Sequence, residues 1–247
     1  MPIKPKNYPV ILKPIINLYG MGLNTKLLKN VQDFDNNWQS NNFWMKFLRG
    51  KHLSWDLVIL NGNIQFHTCF IGFKDKNIIG KFDYWESINK KLPKIIKKFI
   101  KEKLDNYTGC LNIETINNNM IEVHLRMGDL QRFPSTKLFE GIVKTYQKKS
   151  FDWKTIKLDK IFFYPIWCRN SISEKIRYKI FNYLKENIPR LLKYDPLIIN
   201  YRIDHPSLAS PNGDNRLMWI ICKDQTYAKK IRNNIYQNID IYKNKLN

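Results

Sequence analysis

Residues 110–126 have the sequence CLNIETINNNMIEVHLR, a pattern that predicts a β-hairpin. Two runs with apolar residues at every second position are separated by the polar segment Asn117–Asn119. The apolar set consists of Leu111, Ile113, Ile121, Val123 and Leu125. Since alternate residues of a strand point to opposite faces, we expect these five side chains to face a core and the polar residues to share the other face.

A three-residue loop at Asn117–Asn119 determines which residues of the hairpin lie opposite each other. It pairs Glu114 with Glu122, whereas a two-residue loop would set the apolar residues of one strand against the polar residues of the other. The other predicted pairs are Ile116 with Met120 and Asn112 with His124. Carboxylates paired at roughly 5 Å between Cβ atoms repel each other unless a cation lies between them or one is protonated. The hairpin therefore predicts a cation site.

Two further polar side chains extend this face, because His124 and Arg126 follow Glu122 at steps of two residues. Mg²⁺ binds a few carboxylate oxygens together with substrate phosphates, and an arginine can hold a phosphate through two parallel hydrogen bonds. The segment thus predicts a metal and phosphate site. The alternative, which this segment alone leaves open, is an exposed hairpin face whose charges are solvated.

The composition indicates a folded protein, since 43% of the 247 residues are hydrophobic and 14% are aromatic. No run approaches the ~20 apolar residues of a membrane span, and the amino terminus lacks the apolar region of a signal peptide. We therefore expect an intracellular, soluble protein in the cytoplasm. The four cysteines have no paired spacing, which suggests neither a zinc site nor a disulfide framework and favours small buried side chains.

The formal net charge of +21 raises the hypothesis of a nucleic-acid-binding protein. Lysines occur throughout the chain, however, together with many Asn and Ile residues, as expected of an AT-rich genome. Many of them fall on the polar face of a predicted amphipathic helix over residues 92–104, where solvation is the ordinary role. The charge could still attract ATP or another polyanion.

The periodicity along the chain predicts an α+β protein. Predicted strands cover residues 8–13, 43–48, 52–60, 63–73, 160–168, 197–203 and 216–223, and predicted helices cover residues 31–38, 92–104, 136–147, 173–187 and 225–237. A polar stretch at residues 148–159 marks a boundary. We therefore predict two regions, residues 1–150 and a small βαββα lobe at residues 160–247.

The first of these regions resembles the ATP-grasp superfamily over about residues 8–147. Members of that superfamily clamp ATP between two α+β subdomains and usually activate a carboxylate as an acyl phosphate. The segments that carry the resemblance keep the family's order and spacing, and they are YPVILKP at 8–14, GMG at 20–22, FWMKFLRG at 43–50, HLSWDLVILNG at 52–62, NIE at 112–114 and EVHLR at 122–126.

The resemblance implies two antiparallel-sheet subdomains that clamp a nucleotide, with ATP and Mg²⁺ as cofactors. It places Lys13 and Arg126 on the transferring phosphate, and it places the carboxylates of Glu114 and Glu122 on the metal, with His124 beside them. Further nucleotide contacts are implied for the Gly-rich loop, the hinge backbone and the ribose pocket, at Gly20, Gly22, Phe47, Leu48 and His52.

Three departures from the family pattern bear on activity. Met45 stands where the family generally has a glutamate that receives the adenine amino group. His124 replaces an asparagine, and a neutral imidazole suits Mn²⁺ better than Mg²⁺ or leaves the metal altogether. Family members also carry a preceding domain that helps to bind the carboxylate substrate, so residues 160–247 or a partner subunit would have to supply those contacts.

The resemblance favours an ATP-dependent ligase that activates an unknown carboxylate through an acyl phosphate for attack by an amine. One alternative is a catalytically degenerate ATP-grasp-like protein that binds nucleotide or serves as a structural subunit. A second alternative is a basic nucleic-acid-binding protein. The sequence does not identify the carboxylate or the amine.

Overall fold

The computed structural model describes residues 3–16, 22–74, 81–128, 130–133, 135–169, 172–192, 195–207 and 214–244. The strands are β1 Val10–Pro14, β2 Lys26–Leu28, β3 Asn42–Lys46, β4 His52–Leu60, β5 Asn63–Lys74, β6 Phe82–Ile88, β7 Gly109–Ile116, β8 Asn119–His124, β9 Phe162–Arg169, β10 Ile198–Ile203 and β11 Asp214–Cys222. The helices are α1 Val31–Asn37, α2 Lys94–Lys103, α3 Thr136–Tyr146, α4 Glu174–Leu192 and α5 Gln225–Asn244, with single 3-10 turns at Leu130–Arg132 and Trp153–Thr155. The fold is α+β with two antiparallel sheets, as predicted.

The smaller sheet has the strand order β2-β1-β3 and packs against α1. Alternation along β1 directs Val10 and Leu12 into a small core with Phe34 of α1. The residues between them, Ile11 and Lys13, therefore face the opposite side of this sheet. That side faces the larger sheet and forms one wall of a cavity.

The larger sheet has eight strands in the order β10-β11-β9-β6-β5-β4-β7-β8. Strand β4 is buried on both faces, so its alternation separates two environments. Leu53, Trp55, Leu57 and Ile59 pack against α2. On the other face, Val58 joins a core with α3, and the preceding polar residues of that face line the cavity or lie directly behind its wall.

The carboxy-terminal part has the element order β9-α4-β10-β11-α5, which confirms the predicted βαββα order. Helices α4 and α5 cover one face of β9 and β11 through a core that includes Tyr164, Ile166 and Ile235. The alternate residues of β9, among them Phe163 and Trp167, point to the other face and reach the cavity.

Strand β6 connects the two parts of the larger sheet, because it pairs with β5 on one side and with β9 on the other. The sequence analysis assigned no element to these residues. Strands that precede and strands that follow residues 148–159 belong to one continuous sheet. The division of the chain into regions 1–150 and 160–247 stays a prediction.

The hairpin of β7 and β8 confirms the pairing of Glu114 with Glu122 and of Asn112 with His124. The predicted pairing of Ile116 with Met120 is wrong, because Ile116 pairs with Asn119 across a two-residue turn. Both turn residues, Asn117 and Asn118, have left-handed backbones with φ of 46° and 66°, as a tight hairpin turn requires. A bulge before Glu122 then restores the register at the carboxylates.

The predicted apolar face of this hairpin is only half confirmed. Leu111 and Ile113 are fully buried on β7, while Val123 is 38% exposed and Leu125 is 62% exposed. The difference arises because β8 is the edge strand of the sheet, and Leu125 lies beyond its last residue. Ile121, at the bulge, lines the cavity.

The four cysteines, Cys69, Cys110, Cys168 and Cys222, are buried, as predicted. Within the described ranges, no helix combines the length and apolar character needed to cross a membrane. The cytoplasmic location stays a prediction.

We expect Ser87→Ala to weaken the join between β6 and β9. Ser87 Oγ accepts a hydrogen bond of 2.8 Å from the backbone N–H of Ile161, a residue that is 1% exposed. Leaving this buried N–H without its acceptor should cost about 1–3 kcal/mol of unfolding free energy. The measurement is the urea midpoint followed by tryptophan fluorescence, with the exposed Ser150→Ala as control. Equal midpoints for both variants would contradict the expectation.

Candidate functional site

A cavity of about 380 Å³ separates the smaller sheet from the larger one. Every predicted site residue within the described part of the chain lines it, and these are Lys13, Gly22, Phe47, Leu48, His52, Glu114, Glu122, His124 and Arg126. Gly20 lies outside the described residues. The structure thus brings together side chains and backbone from β1, β3–β4, β7 and β8, while their individual roles stay predictions.

The metal-binding candidates are the two paired glutamates and the histidine that follows them. One ligand atom each from Glu114, Glu122 and His124 can be chosen so that all three lie within 4.8 Å of one another. Donors bonded at ~2.1 Å to one octahedral ion lie about 3 Å apart when adjacent and about 4.2 Å apart when opposite. The spacing and the chemistry of this donor set therefore fit a divalent cation.

Lys13 extends from the smaller sheet and forms a salt bridge with Glu122 Oε1. Burial alone would raise the pKa of Glu122, but the hydrogen bond from His124 and the charge and hydrogen bond of Lys13 outweigh it and lower that pKa to about 2. Glu122 is therefore ionised at neutral pH. Its two oxygens face cationic or hydrogen-bonding partners on both sides.

His52 holds the other carboxylate. Its Nε2 donates a hydrogen bond of 2.7 Å to Glu114 Oε2, and its side chain is almost entirely buried. The ring packs edge-on against Phe82 and Trp85, with centroid distances of 4.9 and 5.6 Å. This packing fixes the imidazole, which in turn orients Glu114. The ribose contact implied by the resemblance stays a prediction.

A buried polar network that the sequence analysis missed supports the metal strands. The Asp56 side chain, on β4, accepts hydrogen bonds from Asn112 Nδ2 at 3.2 Å and from the Gly128 backbone N–H at 2.7 Å. A Cβ atom added at Gly128 would lie 2.5 Å from Asn112 Nδ2, so a glycine is required where this turn approaches β7. The network anchors the segment that carries Arg126, whose Nη1 donates to the Met127 carbonyl at 2.9 Å.

A signal for this network was present in the sequence. Ser54 and Asp56 alternate with apolar residues along β4, in the same strand positions as Asn112 and Glu114 along β7. Two neighbouring strands with polar residues on one shared face indicate a polar cavity wall rather than a solvated surface when both strands are central.

Part of the cavity wall is built by residues outside the region of resemblance. Phe163 and Trp167 of β9 and Arg216 of β11 line it, and Arg216 is paired with the buried Asp204. The Arg132 guanidinium lies 3.4 Å from the centroid of the Phe163 ring, which joins the segment after β8 to β9. The carboxy-terminal part therefore contributes one wall of the cavity.

Lys74, at the end of β5, is another cationic residue of this wall. Burial lowers its pKa, and the negative charge of Glu114 acts in the opposite direction. The cavity thus holds cationic side chains from both sheets around a pair of carboxylates, an arrangement suited to an anionic ligand with a bound cation.

No protein-family profile matches the sequence, and no curated protein matches it. Solved structures do match the fold. The carboxyaminoimidazole ribonucleotide synthase of Aspergillus clavatus, determined with ATP, matches 94% of the chain with a TM-score of 0.60 and 9% identity. The N5-carboxyaminoimidazole synthetase of Staphylococcus aureus, determined with ADP, matches 94% with a TM-score of 0.58 and 14% identity.

The L-amino acid ligase of Bacillus licheniformis matches 95% of the chain with a TM-score of 0.59 and 10% identity. All three neighbours are ATP-grasp enzymes. The chain therefore has the ATP-grasp fold, as its sequence segments predicted. It spans between 61% and 63% of the length of these three structures.

The depressed pKa of Glu122 predicts a specific loss of stability in acid. The pKa is about 2 in the folded protein and 4.5 in the unfolded reference, so this stabilisation is complete above pH 4.5 and is lost as the pH falls towards 2. Between pH ~5 and pH ~3, the metal-free protein should lose on the order of 2 kcal/mol more unfolding free energy than Glu122→Gln.

The measurement is a series of urea titrations across this pH range with a chelator present. Glu102→Gln, which removes an exposed carboxylate of α2, is the control and should follow the wild type. The assigned cause of the pKa shift would be wrong if wild type and Glu122→Gln lost stability in parallel.

Proposed function

We propose that the protein is an ATP-dependent ligase that activates a carboxylate as an acyl phosphate for attack by an amine. The observation that carries this proposal is the pairing of Glu114 with Glu122 on adjacent strands, opposite Lys13 in the same cavity. Carboxylates that hold a divalent cation beside a lysine form the set of charges that binds a nucleoside triphosphate. The ATP-grasp fold of the chain supports the same conclusion.

Different residues along the cavity would contact different parts of the nucleotide. The hinge backbone at Phe47 and Leu48 would hold the adenine edge, and the glycine loop at Gly22 would cover the phosphates. Glu114 and Glu122 would hold Mg²⁺ or Mn²⁺, which would supply positive charge against the phosphates.

Lys13 and Arg126 would stabilise the charge that develops during phosphoryl transfer. A substrate carboxylate oxygen attacks the γ-phosphorus, the bond to the β-phosphate bridging oxygen breaks, and ADP leaves. The amine nitrogen then attacks the acyl carbon, loses a proton and expels inorganic phosphate. The protein contributes chiefly position and fixed positive charge, which are the main requirements of phosphoryl transfer.

The acceptor substrates would lie beside the cavity wall that the carboxy-terminal part supplies. Arg132 and Arg216 are cationic lining residues, and the aromatic rings of Phe163 and Trp167 supply apolar surface. This wall suits a carboxylate substrate with an apolar portion. A partner subunit that adds substrate contacts remains part of the proposal.

A second candidate is a protein that binds nucleotide without turnover. Met45, which lines the cavity, favours it, because a thioether is at best a weak hydrogen-bond acceptor for the adenine amino group. The two candidates differ in one observable, the release of ADP in the presence of a carboxylate and an amine.

The first experiment is calorimetric titration of ATP and of a non-hydrolysable analogue, with Mg²⁺, with Mn²⁺ and with a chelator. We expect metal-dependent binding that falls at least tenfold in Glu114→Ala/Glu122→Ala, because the cation loses both carboxylates. The matched control is Glu102→Ala/Glu140→Ala, which removes two exposed carboxylates. Absence of nucleotide binding under every metal condition would contradict the proposal and favour the alternative of a nucleic-acid-binding protein.

Lys13 is expected to change partners when the nucleotide arrives. Without nucleotide its ammonium occupies Glu122, so it competes with the metal for that carboxylate. Lys13→Met should therefore bind Mn²⁺ roughly 3–10-fold more tightly than wild type in the absence of ATP, and should bind ATP more weakly. Calorimetric titration of the metal alone tests this, with the exposed Lys29→Met as control. Weaker metal binding in Lys13→Met would contradict the exchange.

A further inference from the structure

The third member of the metal cluster is an imidazole, and its position is fixed by the strand. His124 lies on β8 two residues after Glu122, so both side chains point to the same face of the sheet. It pairs across the strands with Asn112, which is held by hydrogen bonds to Ser54 and Asp56. The backbone therefore presents the imidazole on a strand, at the end of the edge strand β8, rather than on a loop.

The distance between the two neighbouring donors matches direct coordination. His124 Nε2 lies 3.2 Å from Glu122 Oε2, close to the separation of about 3 Å between adjacent donors of one octahedral ion. A third of the His124 side chain is exposed, so an incoming ion can reach it. A neutral imidazole with its hydrogen on Nδ1 would offer the Nε2 lone pair to the ion, in place of the hydrogen bond to Glu122.

We propose that His124 is a direct ligand of the catalytic cation and makes the site selective for Mn²⁺ over Mg²⁺. The inference rests on the proposed nucleotide and metal site, and it adds the identity of the metal. Imidazole nitrogen is a good ligand for first-row transition ions and a poor one for Mg²⁺, which strongly prefers oxygen. Two carboxylates and the phosphate oxygens keep the donor set rich in oxygen, which suits Mn²⁺ among these ions.

The charges in the cavity are consistent with this occupant. Lys13 and Arg126 flank the cluster, and a cation bound there has to compete with them for two carboxylates. A neutral imidazole attracts an ammonium or a guanidinium less strongly than a carboxylate does, because it carries no negative charge. His124 therefore offers a transition ion a donor for which the cationic surroundings compete less than they do for the two carboxylates.

The test is spectroscopic and needs no turnover. Mn²⁺ is bound to the whole protein, with and without a non-hydrolysable ATP analogue, and electron spin-echo modulation reports any nitrogen bonded to the ion. We expect ¹⁴N modulation in wild type and its loss in His124→Asn, which keeps an oxygen donor at this position. His67→Asn, a histidine on β5 that does not line the cavity, is the matched control and should keep the signal.

A competition experiment supplies the second readout. The concentration of Mg²⁺ that displaces half of the bound Mn²⁺ should fall at least tenfold in His124→Asn, since the loss of even an outer partner of a metal costs about 10–100-fold in affinity. His52→Asn identifies the source of the nitrogen, because His52 contacts Glu114 and the proposal requires its variant to retain the modulation.

The outcomes separate the two proposals. Metal-dependent nucleotide binding without nitrogen modulation, or with an unchanged preference in His124→Asn, would overturn the role of His124 and leave the ligase proposal intact. Nitrogen modulation that disappears in His124→Asn, without nucleotide binding, would support the metal site and count against the ligase. Absence of any bound Mn²⁺ with or without nucleotide would overturn the inference.

Discussion

Two carboxylates of like charge face each other on adjacent strands, and much of the described cavity compensates for that arrangement. Glu114 and Glu122 are paired across β7 and β8, where side chains are too close for both to stay ionised without positive charge nearby. Lys13 supplies that charge from the other sheet, and His52 donates to the second carboxylate from β4. The contact between the two sheets at this point therefore depends on the attraction between Lys13 and Glu122 as well as on packing.

Through Lys13, the smaller sheet contributes a charge to the cavity although its hydrophobic core is small. Its core is limited to a few side chains of β1, β2 and α1, and most of its remaining surface faces the cavity or solvent. Under the proposed function, a polyanion and a cation arriving together would replace the Lys13–Glu122 pair with two new pairs, so the ligands would become the contact between the sheets.

The sequence predicted the elements that follow a local periodicity and the residues that lie on them. The alternation of β4, β5 and β7 was readable because these strands are central, with long apolar runs on one or both faces. Strand β6 was missed because its seven residues, FDYWESI, combine aromatic and charged side chains without a clean alternation. The predicted three-residue loop is wrong, because the turn has two residues. A bulge at Ile121 then shifts the register back, so Glu114 still pairs with Glu122, and only the pairing across strands shows this.

The residues of the candidate site also differ in whether a local sequence pattern reveals them. Residues that act from one segment, such as the pair Glu114 and Glu122, could be found from local pattern and family resemblance. The network of Asp56, Asn112 and Gly128 and the contributions of Arg132 and Arg216 depend on contacts between segments that are distant in sequence. The polar alternation along β4 and β7 signals a shared polar face, but it does not specify these contacts, which only the structure shows.

Strands β6 and β9 pair over only a short stretch, and this affects how substitutions on one side of the sheet act on the other. Within the described residues, two residue pairs, Trp85 with Phe163 and Glu86 with Phe162, connect these strands by register, while Glu114 lies four strands away from β9, on β7, and Glu122 lies at the sheet edge, on β8. Substitutions on the cavity face of β9 and β11 can therefore alter one cavity wall while the two carboxylates keep their geometry. Under the proposed function, the carboxy-terminal strands would be the natural place to build a different substrate pocket beside an unchanged carboxylate pair.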